Sequence, residues 1–168
     1  MPLLIILVVI FLGTYGYASY SGAPWLPTRK GDVGRALKLA GVNSGQKLYD
    51  LGCGDGRLIF AAAREGATAV GFEISVLPYL LAKVRILSAG VSGNCSVAYK
   101  SFWNVSMADA DVVYVFLTPN INPRMKEKLE KELRKGAKVI SYAFPIEGWQ
   151  PLKVDKFKNR PDIYLYEI

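Results

Sequence analysis

The chain contains no histidine, and its two cysteines, Cys53 and Cys95, form no CxxC pair. Zinc centres and histidine-based acid–base catalysis are therefore poorly served, and no metal is expected. Two isolated cysteines do not make a disulfide framework either, which agrees with a reducing compartment. Charge is absent from the first 28 residues, whereas the remaining 140 carry all 21 Lys/Arg and all 14 Asp/Glu. No internal repeat and no low-complexity tract is visible. At 168 residues there is room for one compact domain and not for two.

The charge asymmetry suggests three parts: an apolar lead over 1–20, a linker over 21–28 and a globular domain over 29–168. Leu3 to Tyr20 is an 18-residue stretch without charge, at the lower end of the roughly 17–25 residues of helix that span a bilayer. Arg29, Lys30, Arg35 and Lys38 follow it and no Lys or Arg precedes it. A single-pass membrane anchor is therefore expected, with the domain on the cytoplasmic side. A cleaved signal peptide ending near Ser21-Gly22-Ala23 is the alternative, although the basic leading segment of such a peptide is missing. The net charge of +7 suits an anionic surface. Nucleic acid is not the expected partner, since a solvated Lys-rich face explains the same charge.

Beyond the linker, Thr28 stands where it can N-cap a helix whose Val33, Ala36, Leu37 and Ala40 recur at helical spacing. Lys47–Leu51, Thr68–Phe72, Ser96–Tyr99, Asp111–Leu117 and Lys138–Tyr142 read as strands, and helices fit Arg57–Glu65, Val76–Ser88 and the stretch after Asn122-Pro123. In that last helix Met125, Leu129 and Leu133 mark a buried face, and Glu127–Lys131 and Glu130–Arg134 are spaced for i,i+4 ion pairs. The runs near Leu152–Phe157 and Ile163–Ile168 have no helix between them and suggest an antiparallel finish. Alternating strands and helices predict an α/β, Rossmann-like domain with a mostly parallel sheet covered on both faces.

The strongest motif is Asp50-Leu51-Gly52-Cys53-Gly54-Asp55-Gly56-Arg57, placed after a strand and before a helix. Three glycines let the backbone turn sharply and approach a ligand. A dinucleotide fingerprint needs its third glycine where Arg57 stands, and a phosphate loop needs a Gly-Lys-Ser/Thr that is missing. Glu73 ends the next strand, 23 positions after Asp50, where a carboxylate can accept ribose hydroxyls.

This acidic–x–Gly–x–Gly–x–Gly loop resembles the S-adenosylmethionine (SAM) loop of class I methyltransferases. The resemblance implies SAM as cofactor, with Asp50 facing its amino group and Glu73 its ribose. It also implies an adenine-facing loop at Ser101-Phe102-Trp103, with Ser101 in place of the usual acid or amide. The expected cofactor face comprises Thr28, Asp50, Gly52, Cys53, Gly54, Gly56, Glu73, Ser101 and Phe102. Leu117-Thr118-Pro119-Asn120 lacks the Pro-Pro-aromatic motif of base-amino methyltransferases.

From Gly22 to Ile168 the chain is similar to the small protein-lysine methyltransferases of archaea and their mitochondrial relatives. The shared features are Pro24-Trp25-Leu26-Pro27-Thr28, the Asp50 loop, Glu73, Phe116-Leu117, Asn122, Ser141, Phe144 and Gly148-Trp149. Tyr142-Ala143 departs from the polar pair usual there. The resemblance implies a protein lysine as methyl acceptor. Trp25, Trp103 and Tyr142 are candidates to line the acceptor slot, and Thr118 to orient the amine. A lipid, quinone or other small membrane-associated acceptor is the rival enzymatic reading, and a non-catalytic SAM-binding membrane adaptor is the rival outside enzymology.

Overall fold

The computed structural model describes residues 1–21, 25–91 and 93–168. Gly22, Ala23 and Pro24, most of the small-residue cleavage pattern and part of the expected linker, lie outside the described residues. Helices α1 (Pro2–Ser21) and α2 (Lys30–Ala40) lead into a strand–helix alternation. It runs β1 (Lys47–Leu51), α3 (Arg57–Arg64), β2 (Thr68–Glu73), α4 (Val76–Ser88), β3 (Cys95–Tyr99), β4 (Val112–Val115), α5 (Asn122–Glu132) and β5 (Lys138–Tyr142). Two further strands, β6 (Lys153–Asp155) and β7 (Ile163–Glu167), close the chain.

The seven strands form one sheet in the order β3-β2-β1-β4-β5-β7-β6. The first five run parallel, and β7 pairs antiparallel with both β5 and β6. This is the α/β arrangement and antiparallel finish that the sequence pattern implies. Side chains alternate across the strands, so Leu48, Val112, Tyr114 and Ile140 face a core shared with α2, α3 and α4. Tyr49, Leu51, Val113, Val115 and Val139 face the opposite core, where Met125, Leu129 and Leu133 of the α5 region pack. Chain order reverses between β1 and β4, and the crevice at the carboxyl ends of strands flanking such a reversal is where open α/β sheets bind ligands.

Three expectations are corrected. Among the described residues no helix is long and apolar enough to cross a membrane. That overturns the single-pass anchor over 3–20, and with it the membrane localisation and the cytoplasmic-side placement. Helix α1 has 20 residues, but its strongly apolar run stops at Leu12, and Gly, Thr, Tyr and Ser dominate from Gly13 onward. At about 1.5 Å per residue, Leu3–Leu12 covers roughly 15 Å, half of a hydrocarbon core. Thr28 does not cap α2. Arg29 holds the cap position without a side-chain bond, and the buried Thr28 turns its hydroxyl inward to Tyr114. On α5 the ion pairs differ from the expected ones and fall at Lys126–Glu130 and Lys128–Glu132. Glu130 also accepts from Trp149 Nε1 at 2.8 Å, and Arg134 reaches back to Asp111 instead.

Candidate active site

A pocket opens at the carboxyl ends of β1, β2 and β4. One wall is the strap Trp25–Thr28, and the floor is the glycine loop between β1 and α3. Of the residues singled out in the sequence, Trp25, Thr28, Asp50, Gly52, Cys53, Gly54, Glu73 and Phe102 line it. Gly56, Ser101, Thr118 and Tyr142 lie off the wall. Gly56 takes a left-handed φ of 72° at the start of α3, and a Cβ there would stand 3.0 Å from that of Ala82. Ser101 Oγ accepts from Trp103 N and caps the short turn Phe102–Asn104. Thr118 bonds the side chain of Asn120. Tyr142 is buried one layer behind, its ring edge-on to the pocket residue Phe116 at 4.7 Å and its hydroxyl given to Asp32 at 2.7 Å.

The loop is pinned to β2 by Gly52 N–H and Cys53 N–H, both donating to Phe72 O at 2.9 and 3.0 Å. At Gly54 (φ 54°) the indole of Trp25 presses so closely that an added Cβ would meet Nε1 at 2.6 Å. Only a residue without a side chain admits the ring there. Trp25 Nε1 is, among the described residues, the buried side-chain nitrogen or oxygen with no hydrogen-bond partner. Such orphans are rare in folded proteins and ask for a ligand or a function.

Glu73 holds its carboxylate by three backbone donors. Ile74 and Ser75 donate to Oε1 at 2.9 and 2.7 Å, and Gly54 donates to Oε2 at 2.9 Å. A carboxylate offers about four lone-pair sites, so its position is set while acceptor capacity remains toward the pocket. Asp50 is only 3% exposed, and no described donor bonds its side chain. Burial, followed by the neighbouring charges of Glu73 and Asp55, pushes its carboxyl well above the usual carboxylate range. Burial, followed by the neighbouring charges of Asp50 and Glu73, pushes the Cys53 thiol well up, which disfavours the thiolate.

Four contributors, Asp55, Arg57, Arg85 and Tyr114, were not among the candidate site residues. Asp55 is gripped by a two-pronged fork from Arg57 and bonded by Arg85. Burial works against its charge, but these partners outweigh it and hold the carboxyl below its ordinary value. Tyr114 lines the pocket because β4 pairs with β1 in the register that sets it beside Asp50. An acidic and a basic residue alternating with the glycines, Asp55 and Arg57, was the signal available for that pair. Nothing local marked Tyr114 or Arg85.

Residues 50–153 match the ANTKMT methyltransferase domain. The chain is also 41% identical over 150 residues to a protein-lysine N-methyltransferase of Saccharolobus islandicus, an alignment covering 86% of this chain and 93% of that protein. The chain belongs to this methyltransferase family. It is a SAM-dependent methyltransferase. An adenine nucleotide translocase lysine N-methyltransferase of Mus musculus is 39% identical over 109 residues, an alignment covering 64% of this chain and about half (48%) of the mouse protein. Among solved structures, an RNA methyltransferase from Salinibacter ruber in complex with S-adenosyl-L-homocysteine superposes with a TM-score of 0.82. It shares 33% identity, covering 85% of this chain and 94% of that one.

Proposed function

We propose that this methyltransferase transfers the methyl group of SAM to a lysine side chain of a protein. The observation that carries the reading is the 41% identity to a protein-lysine N-methyltransferase along 93% of that protein's length. The pocket agrees with it chemically. Asp50 and Glu73 present acceptors to a ligand that carries an ammonium group and a ribose diol, and a cation beside the buried Asp50 offsets the cost of its charge. Trp25 Nε1, unbonded and buried, supplies a donor for an acceptor group on the same ligand, such as a carboxylate. When bound, SAM supplies an electrophilic methyl group on a sulfonium.

The protein's part is alignment and exclusion of water, which can supply a large share of a rate enhancement. Phe116 and Leu117, just after β4, line the pocket, and in this reading they desolvate the entering lysine stem. Burial lowers a lysine pKa, so the acceptor amine arrives as the free base without a histidine to deprotonate it. At limiting acceptor the rate then rises with pH, because only the unprotonated fraction of the free lysine enters.

The test is incubation of the full chain with methyl-tritiated SAM and separated protein, membrane-protein, RNA and lipid fractions, followed by hydrolysis and identification of the labelled residue. Methyl-lysine in a protein fraction is the expected product, and label in the membrane-protein fraction would make the acceptor membrane-associated. The similarity to the Salinibacter RNA methyltransferase favours one second reading. Label confined to RNA would replace lysine by a nucleotide acceptor.

A further inference from the structure

Arg57 stands where the third glycine of a dinucleotide loop would be, and its side chain reaches from the loop across to the strap. Its Nη1 donates to the main-chain carbonyl of Thr28 at 2.7 Å, across 29 positions of chain. Its Nε and Nη2 donate to the two oxygens of Asp55 at 2.9 and 2.7 Å. Asp55 in turn accepts from Arg85 of α4 at 2.9 Å. The guanidinium is thus held between the glycine loop and the strap, with Asp55 anchored from a third element. Beside this clamp, Thr28 Oγ1 and Tyr114 OH share a hydrogen bond of 2.7 Å, which attaches the strap to the strand next to Asp50. The strap therefore has two tethers, one from the loop and one from the sheet. It carries the Trp25 indole against Gly54.

We infer that Arg57 is a positioning residue that clamps the Trp25–Thr28 strap over the glycine loop and so completes the cofactor pocket. The inference rests on the SAM-binding reading of that pocket. Lysine cannot do the same work at this position. It has no planar fork to engage both Asp55 oxygens while a third donor reaches Thr28. The clamp also spends the charge of Asp55 on Arg57 and Arg85, which leaves Asp50 and Glu73 as the carboxylates presented to a cationic ligand.

The experiment compares wild type and Arg57→Lys in the full chain by calorimetric SAM titration, by hydrogen–deuterium exchange over residues 25–30, and by thermal melting. If the strap opens in the variant, binding must close it again, and a closing cost of about 1.4 kcal/mol lowers the affinity about tenfold. The expected result is that loss of affinity, with faster exchange in the strap both with and without cofactor, a fall of only a few degrees in melting temperature, and exchange in β1 and β4 near wild type. Asp55→Asn, which keeps the shape and weakens the fork, is expected to reproduce it at smaller amplitude. Wild-type affinity and strap protection in Arg57→Lys would overturn the inference while leaving the SAM site intact. A fall in melting temperature with unchanged strap exchange would reassign Arg57 to general stability and likewise overturn it. Failure of the wild-type chain itself to bind SAM would remove the reading on which the clamp depends.

Discussion

Asp50, Glu73 and Trp25 each carry a separate prediction. Free Asp50 is held well above the ordinary carboxylate range by burial and by its acidic neighbours, and a bound cation favours its ionised form. Its pKa therefore falls on binding, and between the two values binding releases a proton. SAM affinity is expected to climb with pH through the raised value and to level off above it. Titrations in two buffers of different ionisation enthalpy check this, and Asp50→Asn should abolish both the slope and the buffer dependence. Glu73→Ala removes the acceptor and frees three backbone donors, so SAM binding should be lost or greatly weakened. Wild-type affinity in that variant would remove Glu73 from the site. Trp25→Phe keeps a ring over Gly54 and deletes an unbonded buried N–H. Removing an orphan donor is neutral or stabilising, whereas removing one used by a charged ligand group costs about tenfold in affinity. An unchanged or raised melting temperature with weaker SAM binding is expected, and unchanged binding would take Trp25 off the cofactor side.

Helix α2 and the C-terminal hairpin are joined by one buried acid. Asp32 accepts from Tyr142 at 2.7 Å, Arg160 at 2.8 Å and Arg35 at 3.0 Å, and Arg35 continues to Asp155 on β6. Burial disfavours the charge on Asp32, and these bonds outweigh it, so its carboxyl lies below the ordinary value. Because the folded value is the lower one, the stabilisation is complete above the unfolded value of about 3.9 and is lost as pH falls through the folded one. Tyr142→Phe should cost about 1–2 kcal/mol at neutral pH, and less as acid protonates Asp32. Urea unfolding over a series of pH values from 7 downward measures the difference, and a loss that never shrinks as acid is added would detach Tyr142 from Asp32.

The molecule as a whole should report ligand binding through its stability. At free cofactor of about 100 times the dissociation constant, the native state gains roughly 2.7 kcal/mol. A chain of this size shifts by about 2–4 °C for each kcal/mol. A rise of roughly 5–10 °C with SAM is expected from those two magnitudes. A melt that ignores SAM at millimolar concentration would deny the pocket its ligand.

The sequence by itself determined what is encoded locally or periodically. Asp50 to Gly56 lies on one strand–turn–helix unit, where spacing alone places a carboxylate at a strand end beside a permissive turn, and Glu73 repeats that placement one unit later. Strand–helix alternation likewise carries the parallel sheet, and the missing final helix carries the antiparallel edge. Local reading failed for residues 3–20, where absence of charge looked like an apolar span although strong hydrophobicity ends at Leu12. Tertiary structure alone decided the rest, because the partners are far apart in the chain. Arg57 meets Thr28 29 positions away, Asp55 meets Arg85 30 away and Asp32 meets Tyr142 110 away. Sheet register, which no single strand specifies, puts Tyr114 beside Asp50. Packing then turned Thr28 from a helix cap into a tether on that tyrosine. A buried hydroxyl must find a partner, and this one finds it on strand β4 and not at the start of α2.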